Sequence, residues 1–255
     1  YRQELEPQQS FGYVMYALPS LSTFIRLPGE TMRHLLQPMH VFLLIDMLIF
    51  FAKTIIYAAG TQCRRLGVAG EQELLGRGVS YCAVCDGAFY KNKIVAVIGG
   101  GDTALGDAVL LSGLAKKVYL VHRRGEFRAN KALQNKVSGI KNIVPVLNAA
   151  VQKINGKDHV EAVAILQNGV EKALPVDGVF VAIGSTPNSA LVKELLDIDE
   201  NGYIAADETG VTSADGIFAA GDVRAKKLRQ VVTAVSDGAN CVLSAEEYLN
   251  KNIQC

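Results

Sequence analysis

The run from Lys93 to Arg124 leaves few folds open to this chain. KIVAVIGG is an unbroken β-rich segment ending in glycines, DTALGDAVLLSGLA carries apolar residues at helical spacing, and KKVYLVHRR is β-rich again. A strand that is apolar at every position is one buried on both faces, and strand, helix, strand in that order is a βαβ unit of a mostly parallel sheet. The surrounding text keeps the same alternation from Thr54 onward. HVEAVAILQNGVEKALPV reads as two strands joined by an Asn168-Gly169 turn, a hairpin appended to the parallel sheet. GVFVAIGSTPNS and GIFAAGDV supply further strands, and a helix is expected from about Arg229 to Tyr248. The fold class is α/β.

The 255 residues, 49% of them hydrophobic, are enough for one large core or two modest ones. Lysine and arginine number 26 against 25 acidic residues, so the net charge of +1 gives no polyanion-binding surface, and nucleic acid is not expected as a partner. The cysteines stand at positions 63, 82, 85, 241 and 255, without the regular pairing of a secreted disulfide framework; a reducing cytosol is expected. No secretory signal pattern opens the chain. The apolar stretch from Val41 to Ala59 has a membrane-insertion balance near zero, about −5 kcal/mol from its apolar side chains against up to about +6 from Asp46 and Lys53. It runs into AKTIIYAAG, which reads as a buried strand ending in a glycine turn, so a soluble protein is expected. Residues 1 to 53 differ in texture from the rest, with Pro7, Pro19, Pro28 and Pro38 at intervals near ten and no glycine fingerprint behind a strand.

Between the first strand and the helix of the βαβ unit stands Gly99-Gly100-Gly101-Asp102-Thr103-Ala104, a G-x-G-x-x-A sequence. Glycines here allow the tight turn and the close approach of a pyrophosphate, which the helix N-terminus then faces. The second strand ends in His122-Arg123-Arg124, with Arg128 following. An NAD enzyme places Asp or Glu at this point to bind the ribose 2′-hydroxyl. Guanidinium groups match a phosphate with charge-assisted bidentate bonds, so the residues specify NADPH over NADH. The alternative for the fingerprint is an ordinary glycine turn, and for the arginines a solvated strand end.

Cys82-Ala83-Val84-Cys85 spaces two thiols for a small disulfide ring, the chemistry of two-electron dithiol exchange. Asp86 follows, a carboxyl placed to relay a proton. A structural zinc site wants four ligands, but no second C-x-x-C exists and His34, His40, His122 and His159 are scattered. Inert structural thiols are the third reading. No metal is expected, and Cys63, Cys241 and Cys255 read as bystanders.

Taken in order, YCAVCDGAFY, VIGGGDTA, HRRGEFRA, IFAAGDV and RQVVTAVSDGA closely resemble the low-molecular-weight thioredoxin reductases, over about Lys53 to Leu249. The resemblance implies a homodimeric flavoprotein in which a Rossmann-like NADPH domain is inserted into a second Rossmann-like domain that binds FAD. Residues 1–65 and 185–255 would form the FAD part, its N-terminal portion aberrant, and 66–184 the NADPH domain with the dithiol. Electrons would pass from NADPH to FAD, to the Cys82-Cys85 disulfide, and on to a thioredoxin-like protein. By position in the motif Cys85 faces the flavin, Cys82 attacks the partner disulfide and Asp86 is the acid. Gly221 and Asp222 match the family's ribityl-binding pair. Arg229, Gln230 and Val231 match its segment against the flavin. Gly60 closes an AAG where the family has ATG, and Gly184 completes the cofactor-binding set. The family's opening strand, G-x-G-x-x-G/A and helix have no counterpart in residues 1 to 53, where Gly12 and Gly29 stand alone; the other reading is therefore an NADPH-binding fragment without flavin or turnover. Gly106 inside the fingerprint helix and Gly125 where an acid is usual are smaller departures.

Overall fold

The computed structural model describes residues 41–45 and 48–253. The readings made of residues 1–40, of Asp46 and of Cys255 lie outside them. Two compact units emerge, one made of the described residues up to Gln62 together with those from Thr186 onward, the other of the continuous segment Cys63–Ser185.

The apolar stretch from Val41 to Ala59 carries three short strands, the last of them within AKTIIYAAG, the segment read as a buried strand. β1 (Val41–Ile45) and β2 (Leu48–Ala52) pair antiparallel, with Ile45 opposite Leu48, and β3 (Ile55–Tyr57) follows after a break at Lys53. The expected glycine turn is present at Gly60, whose φ is +66°. β4 (Thr61–Cys63) then leads into the second unit.

That unit is built on five parallel strands. They are β5 (Val79–Ser80), β6 (Ile94–Ile98), β7 (Lys117–Val121), β8 (Ile143–Val146) and β12 (Gly178–Val181), in the order β5-β12-β6-β7-β8. Helices α1 (Ala83–Asp86), α2 (Asp102–Ser112) and α3 (Lys131–Ser138) belong to it as well. On one face of the sheet Val95, Val97, Val118, Leu120 and Phe180 pack against Ala104, Leu105, Ala108 and Leu111 of α2. On the other, Ala96, Ile98, Val121, Val179 and Val181 meet Ile154, Val163 and Ile165. Those last three lie on an antiparallel sheet of β9 (Ala149–Gly156), β10 (Val160–Gln167) and β11 (Val170–Pro175), in the order β11-β10-β9. KIVAVI is therefore apolar throughout because helices cover one side of it and a second sheet the other. Asn168 and Gly169 have φ of 51° and 79°, both left-handed, as a two-residue hairpin turn of this type demands. The hairpin is thus where the sequence placed it, but as part of a separate three-stranded layer rather than an appendage of the parallel sheet.

The chain returns through β13 (Ser185–Pro187), which pairs with β4. In the first unit β14 (Ile217–Ala219) runs parallel to β3. Its Ile217 and Ala219 pack with Tyr57, Val192, Leu196 and Ile204, while Phe218 points the other way to Cys241 and Ala245 of helix α4 (Val231–Ile253). The helix starts two residues later than expected and runs five further. Among the described residues no helix is long and apolar enough to cross a membrane.

Candidate active site

The fingerprint does what its glycines require. A side chain at Gly99 would place its Cβ 2.3 Å from the Ala182 carbonyl oxygen, and one at Gly100 would lie 2.4 Å from the His122 ring. Gly101, by contrast, is the N-cap of α2 and faces open space, so the free backbone N–H groups at the start of this helix are accessible to an anion. Thr103 is exposed beside it and Ala104 is buried against the sheet. Asp102 is turned to another use: its Oδ1 accepts from the backbone N–H of Asn130 at 2.8 Å and from its side-chain amide at 3.0 Å, which fastens the head of α2 to the loop after β7.

That loop brings the basic residues to the fingerprint. The Gly100 carbonyl accepts from the N–H groups of Arg128 and Ala129 at 2.7 and 3.2 Å. Arg123, Arg124 and Arg128 are exposed. His122 is not: it is 6% exposed, its ring lies under Gly100 and stacks on Phe127 at 5.7 Å, and its Nε2 is buried without a protein partner. Burial pushes its pKa down, and the charges of Arg128 and Arg124 push it further. The imidazole is therefore a neutral support beneath the loop, and the three guanidinium groups form the exposed part of the cluster. Arg123→Ala with Arg124→Ala should raise the Kd for NADPH on the order of 100-fold and that for NADH by less than threefold, as read by fluorescence titration; equal effects would refute the 2′-phosphate assignment.

Cys82 and Cys85 form a disulfide with a Cα–Cα separation of 5.3 Å. Cys82 is the N-cap of α1, and its Sγ accepts from the Cys85 N–H at 3.1 Å. Cys82 is half-buried, whereas Cys85 is exposed between Val84 and Phe89, which are 61% and 73% exposed. Residues the sequence reading missed hold this turn. Ser80, 5% exposed, accepts from the Cys82 N–H at 3.0 Å and donates to Asp86 Oδ2 at 2.6 Å. The buried carboxylate of Glu71 accepts from the N–H groups of Leu66 and Gly67 and from the Tyr81 hydroxyl, each at 2.8 Å. Burial and this carboxylate raise Tyr81 to about 12, so the phenol stays a donor. No pattern marks such contacts, which join a serine or a glutamate to a backbone several residues away. No cluster of three or more His, Cys, Asp or Glu suited to a metal occurs among the described residues. Cys63 is exposed and outside the disulfide; Cys241 is buried, and burial raises its thiol to about 11.

On α2, burial also raises Asp107 from 3.8 to about 6. The folded form then holds a proton that the unfolded chain releases between those values, so stability present below pH ~4 is lost as pH rises through about 6. Asp107→Asn should remove that limb and raise stability at pH 7 by about 1–2 kcal/mol in urea unfolding, with no gain at pH 4.

The first unit carries the second set of expected residues. Gly221, with φ +75°, turns the chain after β14 so that Asp222 lies beside the head of α4. Asp222 Oδ1 is buried and has no protein partner. Arg229 donates from Nε to the Asp222 carbonyl at 3.3 Å, and its guanidinium lies 3.9 Å from the centre of the Tyr203 ring. The Gln230 N–H donates to Thr233 Oγ1 at 3.1 Å, capping the helix, and Val231 is 82% exposed. Gly60 accepts from the Asn188 N–H at 3.0 Å. In the other unit Gly184, with φ +98°, accepts from the Arg64 N–H at 2.9 Å. An orphaned buried carboxylate oxygen next to exposed valines fits a ligand with a hydroxylated chain and a flat apolar ring, and the ribityl-isoalloxazine part of FAD has both.

A dithiol helix followed directly by a dinucleotide fingerprint in one α/β unit has counterparts of known family. The model of the pyridine nucleotide-disulphide oxidoreductases matches residues 48–238. The thioredoxin reductase of Streptococcus pyogenes, 41% identical, superposes with a TM-score of 0.80 over 84% of this chain and 71% of its own. The chain belongs to the thioredoxin reductase family. Within that family, the thioredoxin reductase of Listeria innocua is 46% identical over 203 residues, 78% of this chain and 64% of its own length. That of Giardia duodenalis is 39% identical with a TM-score of 0.75, over 79% of this chain and 67% of its own. The chain thus spans about two thirds of the thioredoxin reductases it matches.

Proposed function

We propose that this chain is an NADPH-dependent disulfide reductase that passes electrons through FAD and the Cys82-Cys85 disulfide to a thioredoxin-like protein, acting in the cytoplasm as a homodimer. The observation that carries the reading is the exposed disulfide. Cys85 sits between two exposed apolar side chains, a surface suited to a protein partner, on the same unit as an arginine-flanked fingerprint. Gly101 and the N-terminus of α2 would hold the pyrophosphate of NADPH, and Arg123, Arg124 and Arg128 its 2′-phosphate. Asp222 would accept from the ribityl hydroxyls of FAD, with Gly221 and the Arg229–Val231 segment beside it. FAD held there would supply the two-electron chemistry that joins NADPH to a disulfide.

The chain's own residues perform the exchange. In the reduced pair one thiol loses its proton and attacks the partner disulfide. A mixed disulfide forms, and a partner thiolate leaves and is protonated. The second thiol then attacks the mixed disulfide, Cys82-Cys85 re-forms, and the partner departs as a dithiol. Asp86 holds or releases the proton at the CxxC turn. By position in the motif Cys82 is the sulfur that attacks the partner and Cys85 the resolving one, which faces the flavin.

The test is the visible absorption spectrum of the protein purified from an FAD-replete host, before and after anaerobic addition of NADPH. A flavin that bleaches supports the reading. A colourless protein that takes up no added FAD sinks it.

A further inference from the structure

We propose that Asp102 is a positioning residue for recognition of the 2′-phosphate, tying the loop that carries Arg128 to the head of α2 so that Arg128 is held beside Arg123 and Arg124. The inference rests on the NADPH reading above. The loop after β7 is fastened at both ends, by groups of different kinds. At its start the Asn148 N–H donates to the Arg124 carbonyl at 3.1 Å and the Ala149 N–H to the His122 carbonyl at 3.0 Å, so the turn between β8 and β9 fixes the first two arginines. At its far end the chain is returned to the fingerprint. The Gly100 carbonyl accepts from the Arg128 and Ala129 N–H groups, and Asp102 Oδ1 accepts twice from Asn130, from the backbone N–H at 2.8 Å and from the side-chain amide at 3.0 Å. Asn130 passes the restraint on, because its Oδ1 accepts from the Leu133 N–H at 2.9 Å and caps α3. The Asp102–Asn130 tether is the fastening that a fingerprint side chain makes, so a substitution can remove it without touching the glycines.

Electrostatics give the tether its importance. Arg123, Arg124 and Arg128 are exposed, and among the described residues none of their guanidinium groups has a hydrogen-bond or ion-pair partner. They nevertheless converge. Burial lowers the pKa of His122, and the charges of Arg128, Arg124 and Arg123 each lower it further, so all three stand around one imidazole. Unpaired cations held this close repel one another, and a loop free at its far end would relieve the repulsion by carrying Arg128 away. A phosphate entering the cluster would then have to order that arginine as it binds. With the loop tied to α2 the ordering is done beforehand, and the 2′-phosphate meets a preformed set of three donors. A dinucleotide without that phosphate has no use for Arg128, so the tether acts on selectivity rather than on binding in general.

The test is calorimetric titration of the whole chain with NADP⁺ and with NAD⁺, oxidised nucleotides that bind without electron transfer. Asp102→Asn removes the carboxylate charge but keeps an acceptor for Asn130, and should retain the wild-type preference for NADP⁺. Relative to it, Asp102→Ala, which removes charge and acceptor together, should bind NADP⁺ about fivefold more weakly and NAD⁺ to within about twofold. The preserved NAD⁺ affinity shows at the same time that the fingerprint is still folded. In an Arg128→Ala background Asp102→Ala should cost less than about twofold in NADP⁺ affinity, because the tether acts through that arginine. Equal losses for the two nucleotides, an Asp102→Asn variant as unselective as Asp102→Ala, or an undiminished loss in the Arg128→Ala background would each overturn the proposal. A wild type that binds NADP⁺ no more tightly than NAD⁺ would refute the NADPH reading and this inference together. A selective wild type whose selectivity survives Asp102→Ala would refute this inference alone.

Discussion

The proposed disulfide-reductase turnover should be lost in Cys85→Ser, with kcat lowered at least 1000-fold, and equally in Cys82→Ser, because two-electron exchange requires both sulfurs. The two variants part company in what they trap. With a thioredoxin-like partner that retains only its attacked cysteine, activated as a mixed disulfide with 2-nitro-5-thiobenzoate, Cys85→Ser should accumulate a covalent complex through Cys82, the sulfur that the motif assigns to the partner. Cys82→Ser should form little. Non-reducing electrophoresis reads the result directly. A complex formed by Cys82→Ser and not by Cys85→Ser would reverse the order of attack that the motif implies. Neither substitution should change the Kd for NADPH, because the fingerprint and the arginines make no contact through these sulfurs in the hydrogen bonds of their unit.

Asp237→Ala will strongly destabilise the first unit. Asp237 accepts from the Gly221 N–H at 2.9 Å, from Lys226 Nζ at 2.7 Å, and pairs with Arg224 at 3.3 Å; the three charged side chains are each less than 10% exposed. Removing the one carboxylate leaves two buried cations uncompensated and frees the turn that carries Asp222. The cost should be about 3–5 kcal/mol, appearing as a fall of roughly 10 °C in the melting temperature. Glu208 cannot substitute, being 94% exposed on the outer side of Arg224. Arg224 also donates to the Asp207 carbonyl, so the guanidinium stays in place and its charge stays buried. A loss under 1 kcal/mol would mean that water reaches the cluster. Replacing all three residues together, Asp237→Leu with Arg224→Met and Lys226→Met, should recover much of the stability while the turn at Gly221 stays loosened, because the Gly221 N–H has lost its acceptor.

What the sequence revealed and what it hid divide along a physical line. KIVAVIGG, the glycines after it, the helix and HRR were readable because each is a contiguous segment whose periodicity or punctuation states its own conformation. Asn168-Gly169 was readable for the same reason, since few dipeptides take two left-handed residues. The strand β9 escaped notice: Ala149–Gly156 mixes Val and Ile with Gln, Lys and Asn, and its place is fixed by pairing with β10 rather than by its own pattern. At the site, the cysteines, Asp86 and the arginines announced themselves by spacing. Ser80, Glu71 and Asp237 did not, since a hydroxyl or carboxylate that holds a backbone turn leaves no trace except the contact itself. His122 was legible as part of a basic strand end, but its burial under Gly100 depends on a loop closing over it.

The unit from Cys63 to Ser185 leaves the chain and re-enters it at one place: Arg64 bonds to Gly184 at 2.9 Å, and β4 lies alongside β13. A module with adjoining ends can be cut out, rejoined by a short linker, or grafted into the surface loop of an unrelated host at little cost in loop-closure entropy. The same adjacency lets its sequence be circularly permuted, with new termini opened in the hairpin at Asn168-Gly169. Its nucleotide-binding and thiol chemistry would travel together in such a graft, as a portable cassette of about 120 residues.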